Sequence, residues 1–279
     1  MITQYGETRR TTADQSAGPS SAIWYDFDML ECLRNPGYGY CWFDDFLDWE
    51  PETTTAERHG SYLVTKDASS TLTAAATVGG VVQLFTTADN EEAGMQLGSG
   101  APFVIPAAST TGKKLWFEAR IKKSVITASK GGFFVGLASE GACAADFIAD
   151  GGADFADVDL LGFWNLEAET TMDIITQKTS AAFDTIGDAT GGTLVADTWI
   201  KVGFKYDPEG PAGRKIVFYY DGVASASTVG EASGDATVYI QDTTNFPGGE
   251  EMSPIAHVKA GHADDLTISM DWWRCAQLR

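Results

Sequence analysis

Leu115-Trp-Phe-Glu-Ala-Arg-Ile-Lys122 sends Leu115, Phe117, Ala119 and Ile121 one way and Trp116, Glu118, Arg120 and Lys122 the other. An extended strand turns successive side chains to opposite faces, so the first set predicts an inward face and the second an outward one. Trp199 to Tyr206 repeats the pattern, with Ile200, Val202, Phe204 and Tyr206 inward and Lys201 and Lys205 outward. Gly132-Phe-Phe-Val-Gly-Leu-Ala138 reads as a strand buried on both faces. Lys215 to Tyr220 runs into Asp221-Gly222, a dipeptide suited to a tight hairpin turn. Leu266, Ile268, Met270 and Trp272 predict a last inward face, leaving Trp273 outward. Upstream, Tyr62–Thr65, Thr71–Ala74 and Val81–Phe85 are further strands between polar or Gly-rich breaks. Short turns and no long helical period predict an all-β fold, an antiparallel jelly-roll sandwich over residues 51–279.

Residues 1–50 read as an N-terminal arm, largely irregular. Its second half, Ile23 to Glu50, has more apolar surface than a solvated linker hides. Trp24, Tyr25, Phe27, Tyr38, Tyr40, Trp42, Phe43 and Phe46 are therefore the candidate interface residues, expected both to pack on the sandwich and to meet another subunit. On this division, deletion of residues 1–50 leaves a folded sandwich and abolishes assembly.

Among 279 residues, 19 Lys and Arg oppose 39 Asp and Glu, a net charge of −20 that argues against nucleic-acid partners and polybasic membrane docking. No apolar run is long enough to span a bilayer. The start, MITQYGETRRTTADQ, shows no basic-then-apolar export pattern, so the expected origin is a cytoplasm. Cys32, Cys41, Cys143 and Cys275 allow three pairings that spacing does not rank; they read as free thiols.

From Leu115 onward the strand order resembles the concanavalin A-like lectin/glucanase (laminin-G-like) jelly roll. The residues that carry this are Trp116–Ile121, Gly132–Leu137, Thr198–Tyr206, the hairpin Lys215–Gly222 and the closing Leu266–Arg274. The layout also resembles sandwich-type structural proteins of tailed-phage virions, through its aromatic arm with Trp42-Phe-Asp-Asp-Phe46 and its ending Asp271–Arg279. These resemblances imply a non-catalytic capsid decoration (cement) subunit. It would be a homotrimer on the virion surface, made in the host cytoplasm and bound to the major capsid protein or other virion subunits. The alternative they imply is a carbohydrate-binding, lectin-like module with a surface glycan as partner, with Trp116, Phe134, Trp164 and Trp273 as candidate platforms. A glucanase-type hydrolase ranks below both.

Catalytic signals are incomplete. Glucanases of that superfamily carry alternating carboxylates on one strand; Asp157-Val-Asp159 and Glu167-Ala-Glu169 supply two each and lack the third. His59, His257 and His262 have no motif-level partner, and Gly248-Gly249 precedes Glu250-Glu251, the wrong sign for a phosphate loop. No catalytic or cofactor-binding residues are therefore assigned. Nine acidic residues between Glu140 and Asp173 meet no Lys or Arg, and Asp150, Asp154, Asp157 and Asp159 are weak calcium candidates. A basic patch lies close by in sequence: Lys113, Lys114, Arg120, Lys122 and Lys123, with Lys130, oppose only Glu118, which offers a docking face for an acidic surface.

Overall fold

A computed structural model describes residues 17–49, 56–77, 79–98, 100–106, 112–127, 131–150, 154–167, 169–210, 216–225 and 245–279. Residues 1–16 and 50–55 of the expected arm, Lys130, Lys215 and the side chain of His59 lie outside the described residues.

Two antiparallel sheets face each other. The first runs, in spatial order, β15 (Val223–Ala224), β14 (Ile216–Tyr220), β13 (Ile200–Tyr206), β8 (Leu115–Lys123), β17 (Leu266–Leu278), β5 (Val82–Thr86) and β4 (Thr71–Ala74), and β1 (Gly39–Asp44) also pairs with β17. The second runs β12 (Asp184–Thr193), β11 (Thr171–Gln177), β10 (Leu160–Asn165), β9 (Gly132–Ser139), β16 (Glu251–Lys259), β6 (Glu92–Leu97), β3 (Tyr62–Lys66) and β2 (Ala56–His59), with β7 (Phe103–Val104) on β16. The described helices are short, α1 (Ser21–Trp24) and α2 (Met29–Arg34), and none is long and apolar enough to cross a membrane.

The main core fills the space between the sheets. Leu115, Phe117, Ala119 and Ile121 of β8 and Ile200, Val202, Phe204 and Tyr206 of β13 all point into it, as their period of two requires. Phe133, Val135, Phe163 and Met172 meet them from the second sheet. Asp221 (φ 47°) and Gly222 (φ 77°) turn β14 into β15 with left-handed backbone at both positions, the twist that a two-residue hairpin needs.

β17 departs from the simple alternation. Its register against β8 shifts between Met270 and Trp272. The extra residue resets the faces: Leu266, Ile268 and Met270 point inward, but Trp273 and Cys275 continue the core, and Trp272 points outward. The expectation for the two tryptophans is thus reversed. On its other flank, β17 takes β5 along Leu266–Met270 and β1 along Trp273–Leu278.

That second pairing corrects the domain boundary. Strand β1 is part of the first sheet, from Gly39 opposite Leu278 to Asp44 opposite Trp273. Phe46 and Trp49 are buried in the main core, packed on Tyr62 and Trp273 with ring centroids 5.5–6.2 Å apart. Residues 39–49 belong to the sandwich, so a cut at residue 50 removes part of the sheet and of its core.

Candidate functional site

Part of each outer face of the sandwich is covered by the chain itself. Over the first sheet lie residues 17–38, against the outward side chains of β1, β8 and β17. Ile23 is fully buried there against Trp116 and Ala276, and it seats because Gly203 has no side chain: a Cβ at Gly203 would stand 2.9 Å from Ile23 Cδ1. Trp24, Phe27 and Phe43 stack around Trp116. Polar groups lock this cover at both ends. Asp26 accepts from Lys114 (2.9 Å), Lys205 (2.6 Å) and Trp116 Nε1 (3.1 Å). Burial alone would raise its carboxyl, but Lys205 and Lys114 hold it below the usual range. Glu118, also fully buried, accepts from Ser20 N and from Trp24 Nε1 (2.7 Å), and burial raises its carboxyl despite those bonds.

Over the second sheet lie residues 140–150 and 154–158. Phe147, Ile148 and Phe155 pack on Phe134, Trp164 and Ile255 in a second apolar cluster. Gln96 donates to Ser139 O (2.7 Å) and accepts from Cys143 N (3.1 Å). Glu92 accepts from Asp146 N (2.8 Å), and Lys259 pairs with Asp146 (2.8 Å). His257 is buried between them with neither ring nitrogen hydrogen-bonded among the described residues, its ring lying over Gly94, where a Cβ would clash at 2.2 Å. Burial, with Lys259 nearby, lowers its imidazole to about 3, so it is neutral near pH 7.

These covers decide where the candidate residues fall. Trp116, Phe134, Trp164 and Trp273 are all at most 2% exposed, so none is a surface platform. Of the arm aromatics, Phe46 is buried, Trp24, Phe27 and Tyr38 are half-buried in the first cover, and Phe43 is half-buried against it. Tyr40 Oη donates to Pro102 O (2.6 Å), Trp42 Nε1 donates to Tyr62 Oη (3.0 Å), and Tyr25 alone of the eight is exposed.

The basic patch is dispersed. Lys114 is paired with Asp26 and Asp207, Arg120 with Asp271 and Lys122 with Asp197, and Arg120 and Lys122 flank the Trp199 ring. Lys123 points the other way, buried at the inner end of β8, where it donates to Gly131 O (2.6 Å) and Asn165 Oδ1. Lys113 is exposed.

Nor do the calcium candidates converge. Asp154 accepts from the neighbouring Phe155 N, Asp157 from Ser180 N, and Asp159 from Thr179 N and Oγ1, while Asp150 is exposed. Among the described residues no group of three metal-ligating side chains comes together. His262 is exposed and paired with Asp264 (3.0 Å), well separated in role from the buried His257.

An open cleft of about 460 Å³ lies where the first cover meets β17. Ala17, Gly18 and Pro19 form one wall, Asp45 and Gly79 another, and Asp271, Trp272 and Arg274 the floor. The bulge in β17 aims Trp272 outward here, and its indole N–H donates to Ala17 O (2.9 Å). Arg274 reaches over the rings of Phe43 and Trp272, 5.0 and 5.6 Å from their centroids. Its Nε is buried without an acceptor among the described residues. Burial lowers its guanidinium, with Glu118 and Asp45 opposing. The cleft thus sets a half-buried cation beside an exposed carboxylate, over the edge of a largely buried indole. It was missed in the sequence because its walls come from four separate segments.

No protein-family model and no curated protein matches the chain. Solved structures do. The carbohydrate recognition domain of Emp47p is similar over 85% of this chain and 94% of its own, with a TM-score of 0.53 at 11% identity. Peanut lectin, solved with a 9-residue peptide, is similar over 86% of this chain and 98% of its own, with a TM-score of 0.52 at 13% identity. At such identities the likeness is one of fold: the chain has the concanavalin A-like, lectin-type β-sandwich. Those neighbours are lectin domains.

Proposed function

We propose that the chain is a non-catalytic recognition module that binds a glycan in the cleft between its first cover and β17. The observation that carries this reading is the half-buried guanidinium of Arg274 in the cleft lining beside the exposed carboxylate of Asp45, with the Trp272 ring packed under the guanidinium. Hydroxyl-rich ligands need donors, acceptors and an apolar face side by side. The lectin-type fold of the neighbours, one of them titled a carbohydrate recognition domain, supports the same class; fold alone is a weak warrant for function, so the cleft bears the weight. The test is a fluorescence titration of the full chain with oligosaccharides. A saturable change that vanishes in Trp272→Phe is expected; no change with any saccharide overturns the reading.

A second reading, an assembly subunit of the virion-decoration type, is favoured by one observation. Tyr25, Leu30 and Leu33 on the first cover are 74%, 62% and 69% exposed, and exposed apolar residues this close in sequence suit a protein contact. Light scattering on the purified chain tests it. A trimer mass that falls to a monomer in a Leu30→Ser, Leu33→Ser variant supports it, and a monomer at every concentration removes it.

A further inference from the structure

The first cover brings two cysteines together. Cys32 is the buried residue of α2, and Cys41 lies half-buried on β1. Between them the chain reverses through Pro36-Gly37, where Gly37 N donates to Asn35 Oδ1 (3.0 Å) and Tyr38 N to Asn35 O (2.9 Å). The reversal sets the helix against the strand and brings the Cys32 thiol beside that of Cys41. The other two cysteines are elsewhere: Cys143 sits under the second cover and Cys275 in the main core. Cys275 is opposite Trp42 on the neighbouring strand, and it faces the core while Cys41 faces the cover.

The geometry points to Cys32 and Cys41 as an oxidation-competent pair whose disulfide staples α2 to β1. The oxidant required is a low-molecular-weight disulfide such as oxidised glutathione. One cysteine thiolate attacks it, releasing one glutathione thiol and forming a mixed disulfide, which the second cysteine then resolves with release of the other. Two protein S–H bonds and the oxidant's S–S bond become one protein S–S bond and two glutathione S–H bonds, with two electrons passing to the oxidant. Cys41 is the accessible partner. Burial and the neighbouring Cys32 thiol raise its own thiol to about 11, so thiolate is scarce near pH 7 and exchange quickens as pH rises. The crosslink closes residues 32–41, restricting the unfolded chain and holding Trp24, Phe27 and Phe43 in place over Trp116.

The experiment treats the full, folded chain with oxidised glutathione at pH 8, then counts thiols after denaturation and maps linked peptides by mass. Four thiols before treatment should become two, with Cys32 joined to Cys41. The melting temperature should rise by on the order of 5 °C and return with dithiothreitol. Cys32→Ser should lose the intramolecular link and the thermal shift. Four surviving thiols overturn the inference, as does a stable glutathione adduct on Cys41, a link through Cys143 or Cys275, or a link that leaves the melting temperature unchanged. The wild-type comparison stands by itself if the Ser variant does not fold.

Discussion

Tyr62 shows how much of this molecule rests on single polar atoms inside it. Its hydroxyl accepts from Trp42 Nε1 (3.0 Å) and Trp273 Nε1 (3.1 Å) and donates to Asp44, joining β1, β3 and β17 in a nearly buried site. Removing the oxygen strands two indole N–H groups at once, each costing more than the net gain from a formed bond. Tyr62→Phe is expected to destabilise by about 2–3 kcal/mol in urea unfolding. Lys123 gives the opposite kind of test. Burial lowers its amine to about 7 in the folded chain from 10.5, so between those values the unfolded state binds more protons. Its contribution to stability is therefore highest above pH 10.5 and falls as pH drops toward 7. Melting temperature measured against pH should show that slope in the wild type and lose it in Lys123→Met.

At the scale of elements, two covers fold over the outer faces of the sheets. The second cover closes over a neutral His257, which is faced by Glu92 from β6, Lys259 from its own strand and Asp146 from the cover. Its folded value, about 3, lies below the ordinary 6.5, so protonation favours unfolding and stability is lost as pH falls from 6.5 toward 3. His257→Leu should keep a flatter stability profile across that window, as read by thermal melts between pH 4 and 7. The strands beneath the covers were legible in the sequence, because a period of two is a local signal: β8 and β13 read correctly from Leu115 and Ile200 onward. The covers were not. Trp116 and Glu118 stand at outward positions and look solvent-facing until residues about a hundred places earlier fold over them. Trp272 and Trp273 were misread for another reason, since one bulged residue inverts every side chain after it.

For the whole molecule, the covers make the N-terminal segment structural. A chain beginning at residue 50 would lose β1 from the flank of β17, leave the space of Phe46 empty and expose Trp116. Losing one core Phe alone costs about 3–5 kcal/mol, against a total stability of about 5–15 kcal/mol for a typical domain. That truncation is expected to yield unfolded or aggregated protein, which circular dichroism and gel filtration would show. The cleft proposed for recognition lies at a seam, lined by Arg274, Asp45 and Trp272. No run of sequence announces this place, because it exists only once residues 17–19, Asp45, Gly79 and the bulged strand come together. Whether it binds a glycan is decided most directly by screening the full chain on a saccharide array, wild type beside Arg274→Ala. The wild type should retain a defined set of saccharides and the variant should bind them about 10- to 100-fold more weakly. No retained saccharide, or equal retention by both proteins, contradicts glycan recognition at this cleft.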